Sequence, residues 1–317
     1  MKKILVTGGA GYIGSVTTAL LVDQGYEVIV FDNLSTGFES LVNPKAIFVT
    51  GDLRNYEEIE AVFLNHEINA VMHFASFSQV GESVLKPEKY FDNNVKGAEN
   101  LLKAMEKNEV SKMIFSSSAA VYGVPKADII DETHDLEPIN PYGETKKQIE
   151  QMLEQGSLNY VSLRYFNAAG AGLGYGELHD PETHLIPIVM QVAFGIRESL
   201  TIYGDDYATL DGTCIRDYVH VLDIADAHVK AFNYLEKGSS SEIFNLGSGT
   251  GNSVKEIVNI SEQVTGKELN KTMGERRPGD PPKLVASRDK AGEILGWSPT
   301  RTLQDIIESA WEWQARQ

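Results

Sequence analysis

A tyrosine and a lysine four residues apart can act as one acid–base unit when they share a helical face. Tyr142 and Lys146 meet that condition, because they follow Asn140-Pro141, a cap residue and first-turn proline of a helix. An ammonium beside a phenol favours the phenolate, which moves tyrosine toward general-base duty near neutral pH. The same spacing recurs at Tyr122 and Lys126, but Gly123 and Pro125 lie between them and read as loop, with no shared face. Upstream, Ser116-Ser117-Ser118 closes a strand-like run. Ser118 there is placed to position or relay a proton, although serines at a strand end also serve simply as turn formers.

A second constellation is Thr7-Gly8-Gly9-Ala10-Gly11-Tyr12-Ile13-Gly14. Gly8, Gly11 and Gly14 stand between a strand and a helix, a spacing that lets the backbone turn tightly and approach a pyrophosphate at the helix N-terminus. A plain strand–helix turn would use similar residues. Asp32 tips the balance: it ends the next strand, about 20 residues on, where a carboxylate takes the adenine ribose hydroxyls. It would repel a 2′-phosphate, so NAD is favoured over NADP.

These groups need a frame. Short β-branched runs over residues 4–7, 27–31, 46–49, 70–74, 112–115 and 160–163 alternate with helical stretches over 12–24, 56–64, 95–107 and 142–153. Apolar strands separated by helices predict an α/β fold, a doubly wound, Rossmann-like parallel sheet covered on both faces. After residue 167 the pattern loosens. Helices are expected over 187–195, 221–235, 254–264 and 303–313, with a strand over 243–246. We read residues 1–167 as a dinucleotide-binding domain and 168–317 as mainly a second, smaller α/β lobe, with about 220–247 returning to the first sheet.

The whole-chain numbers exclude several classes. At 317 residues, 42% hydrophobic and 23% charged, the chain reads as globular and large enough for two lobes. Its formal net charge of −17, spread over both halves, argues against nucleic acid and anionic membrane as partners. One cysteine, Cys214, permits no intrachain disulfide and reads as a small buried residue. The apolar run after Lys3 stops at Gly8, too short for a signal-peptide core, so a cytoplasmic protein is expected. Seven histidines occur with no HxH or HxxxH spacing, and no metal site is expected.

Together, the glycine loop, Asp32, Ser118 and the Tyr142/Lys146 pair resemble the extended short-chain dehydrogenase/reductases, and among them the nucleotide-sugar 4-epimerases. The resemblance runs nearly end to end. It is carried by His73-Phe74-Ala75, Asp92-Asn93-Asn94-Val95, residues 116–123, Leu163-Arg164-Tyr165-Phe166-Asn167, residues 211–218 and Arg276-Arg277-Pro278-Gly279-Asp280. It implies Tyr142 as general base on the sugar 4-hydroxyl, Lys146 on the nicotinamide ribose and lowering the tyrosine pKa, and Ser118 on the 4-oxygen. It implies an NAD site lined by Tyr12, Ile13, Asp32, Asn33, Leu34, Ser35, Thr36, Gly37, Asp52, Leu53, Phe74, Ala75, Ser76, Phe77, Ser78, Asn94 and Phe166. Asn167, Arg216, Arg277 and Asp280 would hold a UDP group, with Tyr165 and Tyr218 beside it and His184 and Leu185 touching the nucleotide sugar.

Two positions depart from the family pattern. Ser78 stands where many members carry a lysine near the cofactor diphosphate. Leu284 borders the space for a sugar 2-substituent, and its intermediate bulk leaves N-acetylated sugars open. Sugar 4,6-dehydratases carry an Asp-Glu pair after the serine, whereas Ala119-Ala120 follow Ser118 here, so elimination of water lacks its acid. The resemblance therefore implies interconversion of UDP-glucose and UDP-galactose through a 4-keto sugar with tightly held NAD, by a homodimer. A 4-epimerase of another UDP sugar and a non-catalytic NAD sensor are the alternatives.

Overall fold

A computed structural model describes residues 2–277 and 280–317; Pro278 and Gly279 of the basic stretch lie outside the described residues. The chain opens with β1 (Lys3–Thr7), α1 (Tyr12–Asp23), β2 (Glu27–Asp32), β3 (Ile47–Thr50), α2 (Tyr56–Asn65) and β4 (Ala70–His73). It continues through α3 (Val80–Leu85), α4 (Pro87–Tyr90), α5 (Gly97–Lys107), β5 (Lys112–Ser118), α6 (Pro141–Gln155) and β6 (Asn159–Tyr165). Next come β7 (Asn167–Ala169), α7 (Leu185–Ala193), β8 (Leu200–Tyr203), β9 (Ile215–Arg216), β10 (Tyr218–His220), α8 (Val221–Glu236) and β11 (Glu242–Leu246). The last elements are β12 (Asn252–Ser253), α9 (Val254–Thr265), β13 (Lys271–Gly274), β14 (Lys283–Leu284) and α10 (Leu303–Gln314).

Seven strands form one parallel sheet in the order β11-β6-β5-β4-β1-β2-β3. Alternate side chains of each strand point to opposite faces. Ile4, Val6, Val28, Val30 and Met72 join Leu21, Phe232 and Trp297 in one core. Leu5, Ile29, Val71, Met113 and Phe115 join Ile59, Leu101, Met105 and Ile149 in the other. Both faces are covered, which is why these strands read as unbroken apolar runs rather than as alternation. The expected doubly wound sheet is what forms. β11 adds to its edge beside β6, and α8 packs on α1.

The strand order reverses direction between β1 and β4, and a crevice opens there beyond the strand C-termini. Smaller sheets, β12-β9-β14, β13-β8 and β10-β7, lie in the C-terminal region, where Ile186, Val189, Ile202, Ile257 and Ile307 form a third core. The cap expected for α6 is in place: Asn140 accepts from the Gly143 amide at 2.8 Å, and Pro141 fills the first turn.

Candidate active site

The crevice is a cleft of about 980 Å³ including its open mouth. Its upper wall is the glycine loop. Gly8 has φ +77°, and a Cβ there would lie 2.4 Å from the Ala75 amide nitrogen; a Cβ at Gly14 would lie 2.2 Å from the Gly8 carbonyl oxygen. Bare backbone is therefore required at both positions. α1 starts directly behind, and its cap residue Gly11 places no side chain over the helix end. Gly11, Tyr12, Ile13 and Gly14 all line the cleft, so the positive end of the helix dipole faces it.

At one end sits Asp32, 8% exposed. Its carboxylate accepts from the Ala10 amide at 3.0 Å and the Leu34 amide at 2.8 Å. Burial pushes its pKa up against the pull of those amides. Asn33, Ser35, Thr36, Gly37 and Leu53 line this end. Leu34 turns with φ +57° and Asp52 lies behind, where its carboxylate accepts from Asn33 at 2.9 Å and binds Arg54 at 2.6 Å. The Arg54 guanidinium holds Asp52 well below the usual carboxylate range.

The segment after β4 supplies Phe74, Ala75, Ser76, Phe77 and Ser78 to the opposite wall. Asn94 acts on it from behind rather than lining it: the side chain accepts from the Phe77 amide at 2.8 Å and donates to the Phe77 carbonyl and to Thr145 Oγ1, each at 3.1 Å. Phe166 packs against Tyr122 with Leu136 and Leu284, outside the lining residues.

α6 carries Tyr142 and Lys146 into the floor, beside Ser116 and Tyr165. Ser118 ends β5 with its hydroxyl accepting from the Ala120 amide at 3.1 Å, and its nearness to the Tyr142 phenol favours the phenolate. Lys146, 2% exposed, donates to the Ser116 carbonyl at 2.7 Å, and its ammonium lies 5.8 Å from the Tyr142 ring centre. Burial pulls the lysine down to about 7, opposed by the charge of Glu150. Burial raises the Tyr142 phenol, and the nearby Ser118 hydroxyl counters it. The spacing predicts a lysine that lowers the tyrosine. Burial works against that coupling, raising the phenol and weakening the lysine's hold on its own proton.

The C-terminal region contains the residues expected around UDP. Asn167 donates to the Asp217 carbonyl at 2.9 Å, and Arg216 pairs with Asp280 at 3.2 Å while bonding the Pro281 carbonyl. The Arg277 guanidinium lies 4.1 Å over the Tyr203 ring. Leu284 sits beside Arg216 across the β14–β9 pairing, and Tyr218 begins β10. His184 caps α7, and Leu185 is its first residue. Tyr165, expected beside UDP, lies in the cleft floor, donating to His228 Nε2 at 2.6 Å.

Three supports escape sequence reasoning. His228 stays neutral, pushed down to about 4 by burial, with its Nδ1 donating to the Ile224 carbonyl at 2.9 Å. Arg164 forms a two-point ion pair with Glu150 at 2.9 and 2.7 Å, both side chains under 5% exposed, and Ser117 donates to the same carboxylate. Asp217, fully buried, accepts from the amides of Ser248, Gly249 and Ala286 and ties the segments after β11 and β14 to the β9–β10 junction. The Lys146–Glu150 spacing was the one local signal available for any of them.

Residues 4–247 match the model of the NAD dependent epimerase/dehydratase family. The chain is 50% identical to UDP-glucose 4-epimerase of Lacticaseibacillus casei, over 98% of this chain and 96% of that one. It superposes with a TM-score of 0.96 on the crystal structure of UDP-glucose 4-epimerase from Brucella ovis in complex with NAD, at 46% identity and 98% coverage of both chains. The TM-score is 0.93 against the enzyme from Bifidobacterium longum in complex with NAD+ and UDP, at 38% identity, covering 99% of this chain and 98% of that one.

Proposed function

The chain belongs to the NAD-dependent epimerase/dehydratase family, and from that footing we propose that it interconverts UDP-glucose and UDP-galactose by reversible oxidation at sugar C4. The observation that carries this is the cleft floor, where Tyr142 and Lys146 meet beside Ser116, with Ser118 near the phenol, at the end of a glycine-walled dinucleotide crevice. The crevice fits NAD: Gly8 and Gly14 leave bare backbone for a diphosphate at the α1 terminus, and Asp32 offers a carboxylate to the ribose. When bound, NAD supplies the hydride acceptor and donor for C4 and brings a positive charge beside the phenol.

The chain's own residues do the rest. Tyr142 takes the proton of the 4-hydroxyl and later returns it to the 4-oxygen. Ser118 holds that oxygen in line with the phenol. Lys146, in its charged form, binds the nicotinamide ribose and draws the phenol pKa down. Asn167, Arg216, Arg277 and Asp280 anchor the UDP group, and Tyr218, His184, Leu185 and Leu284 border the sugar. A firm hold on the nucleotide with a loose hexose pocket lets the 4-keto sugar offer either face. Ala119 and Ala120 supply no acid for loss of water.

In this reading residues 1–167, with about 220–247, serve the cofactor and the remainder of 168–317 serves the nucleotide sugar. The protein works in the cytoplasm as a homodimer joined through the helices that carry Tyr142 and residues 95–107; its single, buried cysteine suits a reducing compartment. No helix among the described residues is long and apolar enough to cross a membrane. Light scattering should return twice the mass of one chain. The decisive experiment adds UDP-galactose, and separately UDP-N-acetylgalactosamine, to purified protein without added NAD and resolves the products. UDP-glucose from the first supports the proposal. Product from the second would widen the substrate range past Leu284. No product from any UDP sugar would leave a nucleotide sensor.

A further inference from the structure

The segment between β7 and α7 gathers four metal-ligating side chains, none of which takes part in the proposed proton transfer. Glu177, His179, Glu182 and His184 each offer one donor atom, and all four atoms lie within 4.8 Å of one another. No HxH or HxxxH spacing marks them. The turn through Asp180-Pro181 folds the second Glu/His pair back onto the first. His184 Nδ1 lies 2.7 Å from Glu182 Oε1, His179 Nδ1 pairs with Glu177 Oε1, and the two imidazole rings are 5.3 Å apart.

Two features point to a ligand rather than to paired ions alone. Two carboxylates are brought together with little solvent, their side chains 10% and 4% exposed, an arrangement that is costly unless cations face them. Glu177 Oε1 and His179 Nδ1 are moreover buried and face each other, with no further hydrogen-bond partner. The backbone around them is held from outside: Trp313 Nε1 donates to the Glu177 carbonyl at 2.9 Å, and Gln79 donates to the Pro181 carbonyl at 3.1 Å.

We propose that Glu177, His179, Glu182 and His184 bind one divalent cation of the Zn²⁺ class. Two imidazole nitrogens and two carboxylate oxygens suit a borderline ion, and the carboxylates cancel its charge. Bonds of about 2.0–2.2 Å put tetrahedral donors roughly 3.4 Å apart, so small side-chain rotations close the set. Four protein ligands leave no open position, which makes the site structural. It pins the segment in which His179 lines the cofactor cleft and His184 caps α7. The ion thereby fixes the approach to the nucleotide sugar and takes no part in proton transfer.

The test uses the tag-free, full-length protein, stripped with dipicolinate, desalted, then given Zn²⁺ or Co²⁺ alone. About one equivalent should be retained per chain, the melting temperature should rise with Zn²⁺, and Co²⁺ should develop the visible bands of a four-coordinate ion. The Glu177→Gln/His179→Gln variant should retain metal at least about tenfold more weakly and lose the thermal shift. Glu182→Gln provides a second variant should the first not fold, and the Co²⁺ spectrum of the unaltered chain needs neither. Wild-type protein that retains no metal and shows no Co²⁺ bands would reduce the cluster to two Glu–His ion pairs. Full retention by both variants would place the metal elsewhere. Either result overturns the proposal.

Discussion

Lys146 donates to the Ser116 carbonyl across 2.7 Å from a position 2% exposed to solvent. That contact anchors the amine but leaves it no exposed route for its charge, and the folded chain holds the proton only below about pH 7. The unfolded chain holds it to about pH 10.4. Between those values the unfolded state binds one more proton, so stability conferred at this position rises with pH. In nucleotide-free protein, urea midpoints at pH 7, 8 and 9 should show wild type gaining on Lys146→Met by up to about 1.4 kcal/mol per pH unit. A difference that stays flat across that range would show that the lysine keeps its charge when buried.

Tyr142→Phe should keep its NAD and lose turnover by about 10²–10⁴-fold, the span general-base catalysis covers. The ring remains to fill the cleft floor and only the hydroxyl is removed. Bound nucleotide is counted after acid release, and epimerisation is followed with UDP-galactose. Near-wild-type turnover would remove Tyr142 from the mechanism.

What the sequence makes legible is what local spacing encodes. The parallel sheet is legible because Ile4, Leu5 and Val6 must all be buried, on alternate faces. The Tyr142/Lys146 pair and the glycine loop are legible because helical register and a strand–helix turn are local. Helices α3 and α4, of six and four residues, escape notice, as do the two-residue strands β9, β12 and β14, whose pairing across the chain decides their form. Tyr165–His228 joins positions 63 apart in sequence, and nothing near either residue marks the other. The charge state of Lys146 is hidden for another reason: spacing says that it stands beside the tyrosine, but only burial decides how firmly it keeps its proton.

Gly14→Ala should cost about 1–3 kcal/mol, because the new methyl meets the Gly8 carbonyl at 2.2 Å, and the protein should purify without NAD. Gly25→Ala is the control. Gly25 has φ +85° but open space around a Cβ, so strain of about 1 kcal/mol is expected with NAD retained. Denaturant midpoints and nucleotide content measure both effects. NAD retained in full by Gly14→Ala would move the diphosphate away from this loop.

The Arg164–Glu150 pair should behave as one unit beneath the catalytic helix. Glu150 lies one turn beyond Lys146 on α6, and its carboxylate takes both Arg164 nitrogens and the Ser117 hydroxyl. Arg164 reaches on to Tyr122, whose hydroxyl donates to Asn245 on the sheet-edge strand β11 at 2.6 Å. The network therefore runs from α6 to the edge of the sheet. Arg164→Met alone strands a buried carboxylate and should cost about 3–5 kcal/mol. Glu150→Leu alone strands the guanidinium, with a similar loss. The double variant removes both charges, so its loss should fall below the sum of the singles by more than about 1 kcal/mol. Chemical denaturation of the four proteins closes the cycle. Additive losses would mean that the two ions are stabilised separately, Arg164 by Tyr122 and Glu150 by Ser117, and that the pair does not hold the catalytic helix against the sheet.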